Sequence, residues 1–77
     1  MSARPVKHSV TLRGHRTSIS LEDEFWQELR DLAQEMDMPI NALVAQIDAE
    51  RGVEAGLASA IRVYVLRALR ERLPSRG

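Results

Sequence analysis

The chain is expected to be a mainly α domain with a short N-terminal β element, and three observations lead there. Residues Arg16-Thr17-Ser18-Ile19-Ser20-Leu21 alternate polar and apolar, the period of two of a half-buried strand. From Leu21 the period changes, and Phe25, Trp26, Leu29, Leu32, Ala33 and Met36 recur at helical spacing. Two more helical stripes follow, one after Pro39 and one after Gly56.

Residues 1–8 read as a flexible basic arm, because Pro5 lacks a backbone donor. Strand character occupies 9–21. Val10 and Leu12 alternate with Ser9, Thr11 and Arg13, but they are even-numbered, whereas Thr17, Ile19 and Leu21 are odd. One regular strand would expose one of these apolar sets, so the register must shift between them, and Gly14 marks the place. A type II′ turn at Gly14-His15 would set Leu12 opposite Thr17 and Val10 opposite Ile19; a bulge at Gly14 would also solve the phase problem. Local chemistry accommodates both, and the hairpin is preferred.

The first helix is expected over 21–37, opened by Ser20 with Asp23 three residues on and by the acidic run Glu22-Asp23-Glu24 at the positive end of its dipole. Pro39 disfavours helical geometry at Met38 and suits a first helical position, so the second helix is expected over 39–51, carrying Ile40, Leu43, Val44 and Ile47 on one face. A third helix is expected over 57–73, with Leu57, Ile61, Tyr64, Val65, Ala68 and Leu69 as its main stripe. The run Val63-Tyr64-Val65-Leu66 imitates a strand, but its flanks are good helix formers. Val63 and Leu66 widen the stripe beyond what one small partner surface needs. Pro74 closes the helix, leaving 74–77 as a tail. No internal repeat or low-complexity tract is apparent.

Seventy-seven residues make one domain with a small core, and no cysteine is available to staple it. Self-association is the expected remedy. Without a run of roughly 18 apolar residues or an apolar leader, the expected location is the cytoplasm, with no membrane partner. Net charge is zero, yet the charges are segregated. Residues 1–20 carry Arg4, Lys7, Arg13 and Arg16 and no acid; residues 21–56 carry ten acids against Arg30 and Arg51; residues 57–77 carry five arginines against Glu71. A basic segment beside an acidic body can present one positive face.

Nothing in the chain assembles a reaction centre: there is no cysteine, nucleophile elbow or phosphate-cradling glycine loop, and the carboxylates lie on helix faces. No enzymatic activity, cofactor or metal site is expected. His8 and His15, lacking thiolate or carboxylate spacing, are weak evidence for a metal site and are expected at the surface.

The stretch Ser18-Ile19-Ser20-Leu21-Glu22-Asp23-Glu24-Phe25, with Met38-Pro39-Ile40-Asn41-Ala42-Leu43-Val44, resembles the ribbon-helix-helix superfamily of DNA-binding proteins, over roughly Arg13 to Arg51. The longer string from Ser9 to Val63 looks like a short bacterial subgroup of it. The resemblance implies a dimeric ribbon-helix-helix fold with an additional C-terminal helix, in which two chains pair strands into a ribbon that enters the major groove of double-stranded DNA. It implies that Arg16, Ser18 and Ser20 face the bases, and that Asn41 with the free amides at the second helix N-terminus clamps phosphate. Ile19, Leu21, Phe25, Trp26, Leu29, Leu43, Val44 and Ile47 would form the core and dimer interface.

The sequence departs from the family's pattern twice. Ser20 stands where relatives often carry a long polar residue, and Pro39 where many have a serine or threonine cap. Both shift the expected affinity toward Arg13, His15 and Arg16, assisted by Arg4 and Lys7. Two functions of different class follow. One is a homodimeric transcriptional regulator, with higher-order assembly on DNA. The other is an antitoxin-like or adaptor module whose third helix holds a protein partner.

Overall fold

In the computed structural model, which describes residues 4–51 and 56–72, the order is β1 (Pro5–Leu12), β2 (His15–Glu22), α1 (Asp23–Glu35), α2 (Ile40–Glu50) and α3 (Leu57–Arg72). The two strands form an antiparallel hairpin, so the phase shift at Gly14 is a turn and not a bulge. Within the chain the hairpin pairs β1 with β2 and leaves the outer edge of β2 open.

The turn differs from the expected one. Its central residues are Arg13 (φ 51°) and Gly14 (φ 83°), and two successive positive φ values define a type I′ turn, whose twist matches that of the flanking strands. The turn therefore sits one residue earlier and the pairing moves by two: Leu12 faces His15, Val10 faces Thr17 and His8 faces Ile19. A shift of two preserves the alternation, so Val10, Leu12, Ile19 and Leu21 still share one face. β1 also begins earlier than expected. Residues 5–8 belong to the strand, and Pro5 takes its first position, where no ladder donor is needed. Residues 1–3 of the expected arm lie outside the described residues.

β2 runs on through Glu22, which delays α1 until Asp23. Glu22 is the N-cap residue and no side-chain capping hydrogen bond forms, so the Ser20–Asp23 capping pair is not made. Extending the ladder buries Leu21 completely, and that burial outweighs a cap contributing about 1 kcal/mol. The other end of α1 closes in a Schellman motif: Met38 N–H donates to the Ala33 carbonyl and Asp37 N–H to the Gln34 carbonyl, each at 3.0 Å. Asp37 sits at φ 56°, a position that favours glycine. Asp37→Gly is expected to raise stability by about 1 kcal/mol, measured as a higher urea midpoint with unchanged slope.

Pro39 is the N-cap of α2 and not its first helical residue. Arg51 caps the other end; residues 52–55 lie outside the described residues, as does Leu73 at the expected end of α3. The core joins all five elements: Val10, Ile19 and Leu21 from the ribbon, Leu29, Leu32 and Ala33 from α1, Leu43, Val44 and Ile47 from α2, Ile61 and Val65 from α3. The third helix is thus integral to the domain. Phe25, Trp26 and Tyr64 pack half-buried around the core, whereas Met36, Val63 and Leu66 remain exposed.

Candidate nucleic-acid interface

Strand alternation sorts the hairpin into two faces. One carries Val10, Leu12, Ile19 and Leu21 against the helices. The other carries Lys7, Ser9 and Thr11 from β1 beside Arg16, Ser18 and Ser20 from β2, all six exposed. Cross-strand pairing makes Lys7 the neighbour of Ser20, Ser9 of Ser18 and Thr11 of Arg16. The result is a strip of four hydroxyls and two cations without a carboxylate. Because Ser20 does not cap α1, its hydroxyl is available on this strip.

The residues that the sequence singled out separate into groups. Arg16, Ser18 and Ser20 share the outward face, and Lys7 joins them because the strand reaches further than expected. Ser9 and Thr11 were not singled out, although their alternation with Val10 carries the signal once the hairpin is formed. His15, expected to face DNA, lies on the opposite face from Arg16, beside Leu12 at the ribbon tip. His8 is also turned inward, opposite Ile19, and its ring stacks on Trp26 at 4.0 Å and 9° between planes. Its Nε2 is buried without a hydrogen-bond partner. Arg4 is exposed immediately before β1. Arg13 occupies the turn, where its guanidinium lies 3.7 Å from Asp48 of α2; that carboxylate also accepts a 2.7 Å hydrogen bond from Arg51.

Asn41 occupies the first turn of α2 and fixes the ribbon to that helix. Its Oδ1 accepts the backbone N–H of Thr11 at 3.2 Å, satisfying a donor that points away from β2. The contact brings the α2 N-terminus, with the amides that the first helical turn leaves unpaired, alongside the β1 edge. The Asn41 side-chain amide nitrogen retains its donors.

At the opposite end of the ribbon, Arg62 of α3 binds Glu22, the first carboxylate in the chain. Its Nε donates to Glu22 Oε1 at 2.9 Å, with Nη2 at the same distance from that oxygen, while the guanidinium lies 5.9 Å from the Phe25 ring centroid. The Arg62 hydrogen bond, helped by a backbone hydrogen bond at Glu22 itself, holds the carboxyl below the ordinary glutamate range. A depressed native pKa stabilises the fold above the unfolded value, and that stabilisation disappears as pH falls through the native one. The melting-temperature gap between wild type and Glu22→Gln is therefore expected to be present at neutral pH and to close at acidic pH. A gap that persists unchanged to low pH would show that ionisation of Glu22 plays no part.

Among the described residues no helix is long and apolar enough to cross a membrane. Neither a curated protein nor a solved structure matches the chain. A family model described as a ribbon-helix-helix domain matches residues 5–69, from the first residue of β1 to near the end of α3. That family comprises DNA-binding regulatory modules, among them transcription regulators and antitoxins. By a match that spans the ribbon and all three helices, the chain belongs to the ribbon-helix-helix family.

Proposed function

We propose that the protein is a sequence-specific DNA-binding transcriptional regulator that acts in the cytoplasm as a homodimer and inserts its β-ribbon in the major groove of double-stranded DNA. The observation that carries this reading is the outward ribbon face, with Arg16, Ser18 and Ser20 exposed in a row and the nearest carboxylate, Glu22, held by Arg62. A two-stranded ribbon fits the width of the major groove, where arginine pairs with guanine and hydroxyls accept several bases. The α2 N-terminus, with Asn41, serves in this reading as a phosphate clamp flanking the ribbon, and Arg13 and Arg4 add charge at its two ends. His15 is assigned to the backbone beside the tip and not to the bases.

For the second copy the chain offers the outer edge of β2, which is unpaired within the hairpin, and the exposed Val63 and Leu66 of α3. The same pair supports the second reading, an antitoxin-like or adaptor module with a protein on α3. Selection of bound duplexes from a random DNA pool tests the first reading, with sedimentation at micromolar concentration for the homodimer. A defined enriched motif and a dimer are expected. No enrichment, even at low salt, would discard DNA reading in favour of the second function.

A further inference from the structure

Helix α2 meets the hairpin with a polar face. Asn41 and Asp48 stand two turns apart on that face, with half-buried Ala45 between them. Asn41 accepts the Thr11 N–H within β1, and Asp48 stands beside the turn. The two oxygens of Asp48 have different occupants. Oδ1 accepts a hydrogen bond from Arg51 Nε at 2.7 Å. Oδ2 lies 3.7 Å from Arg13 Nη2, too far for a hydrogen bond and close enough for attraction between opposite charges. Only 16% of the Asp48 side chain is exposed, against 64% of Arg13. The carboxylate is therefore held in place, while the guanidinium can swing away.

Arg13 is an unusual residue for its position. It holds φ 51° at the first central site of the type I′ turn, where asparagine, aspartate or glycine fits with least strain. The backbone does not ask for arginine there, so what the position gains is a long cationic side chain. Thr11 and Arg16, the last outward pair of the hairpin, stand next to the turn. A duplex lying on the outward face thus brings its phosphates within reach of Arg13. A carboxylate beside such a cation opposes that contact. Arg51 already satisfies Asp48 through Oδ1, and the approach of Oδ2 to Arg13 adds little to the fold.

We propose that Asp48 is an internal competitor for phosphate: in the unbound protein it holds Arg13 against α2, and DNA gains the contact at the tip only by taking Arg13 from it. Asp48 is a positioning residue, which sets affinity through Arg13 without touching the duplex. Attraction across 3.7 Å to a largely exposed guanidinium is weak, as suits a contact that is exchanged at every binding event. The exchange has a salt signature. A cation drawn from solvent releases counterions from the phosphate it neutralises, whereas Arg13 leaves behind a carboxylate that recruits a cation in return.

This role of Asp48 rests on the DNA binding proposed above, and the experiment separates the two. Full-length wild type, Asp48→Asn, Arg13→Asn, the double variant and Glu50→Gln are titrated onto a fluorescent random-sequence duplex over a salt series. Asparagine at 48 keeps an oxygen for Arg51 and asparagine at 13 suits the turn, so urea midpoints are expected to stay close to that of the wild type. Asp48→Asn is expected to tighten binding about two- to fivefold per chain, the worth of one exposed ion pair that no longer has to be broken. Its log-log salt slope is expected to steepen by at most about 0.9 per chain. Damage to the fold would not produce a gain in affinity. Arg13→Asn alone is expected to weaken binding by no more than about twofold. The double variant is expected to bind like Arg13→Asn, because without Arg13 there is nothing to release. Glu50→Gln removes the same charge from the same helix and is expected to leave affinity unchanged. No gain in Asp48→Asn, a gain that survives in the double variant, or an equal gain in Glu50→Gln overturns the role of Asp48 and leaves DNA binding standing. Failure of every one of these proteins to bind the duplex, even at low salt, overturns DNA binding and the role of Asp48 with it.

Discussion

Ile61→Ala is expected to be among the most destabilising single substitutions in the protein, lowering stability by about 2–5 kcal/mol. Ile61 is completely buried in the second turn of α3, and its side chain reaches a core shared with the ribbon and the other two helices. Removing it leaves a cavity in a small core whose total stability falls at the low end of roughly 5–15 kcal/mol. The neighbouring Val63→Ala is the matched control. Val63 is 45% exposed, so its truncation is expected to change stability by no more than about 0.5 kcal/mol in the monomeric fold. Urea unfolding of both variants decides the matter. A shift below about 1 kcal/mol for Ile61→Ala would mean that α3 is an appendage and the ribbon and first two helices stand without it.

The second large effect concerns DNA. Replacing Lys7 and Arg16 together with alanine is expected to weaken binding on the order of 100-fold at physiological salt and to flatten the log-log salt dependence by about 2 per ribbon. These are the two cations on the outward face, and neither is matched there by a carboxylate. Arg13 is a smaller contributor because Asp48 lies beside its guanidinium. Arg67→Ala with Arg70→Ala, on exposed positions of α3, is expected to leave affinity within a few fold. Fluorescence anisotropy over a salt series measures both quantities. Loss of binding in the α3 variant with retention in the ribbon variant would move the DNA-binding surface to the third helix.

The parts of this fold that were legible in the sequence are those where burial imposes a period. Ile19 and Leu21 mark the strand, and Leu29 and Leu32, Leu43 and Val44, Ile61 and Val65 mark three helices, because each set is enclosed in the core. The turn was not legible to the residue. Placing it at Gly14-His15 or at Arg13-Gly14 leaves every side chain on the same face, so alternation cannot distinguish the two. The type I′ turn also requires Arg13, not a glycine, at positive φ. Ser20 had the chemistry of a helix cap, but two more residues of ladder and the burial of Leu21 took precedence. His8 misled by composition. Its position two residues before Val10 placed it on the inward face, while its polarity suggested solvent.

The two-residue turn at Arg13-Gly14 also sets how the ribbon comes into being during folding. When the two strands of a ribbon lie on separate chains, pairing is a bimolecular event whose rate falls with dilution. Here the strands meet by closing a loop of two residues, an event of microseconds whose probability is independent of protein concentration. The contacts that then assemble the core are long-range, joining Thr11 to Asn41 and Glu22 to Arg62, and close larger loops than the hairpin does. The pairing of β1 with β2 in a newly synthesised chain therefore proceeds at the same rate whether copies of the protein are few or many.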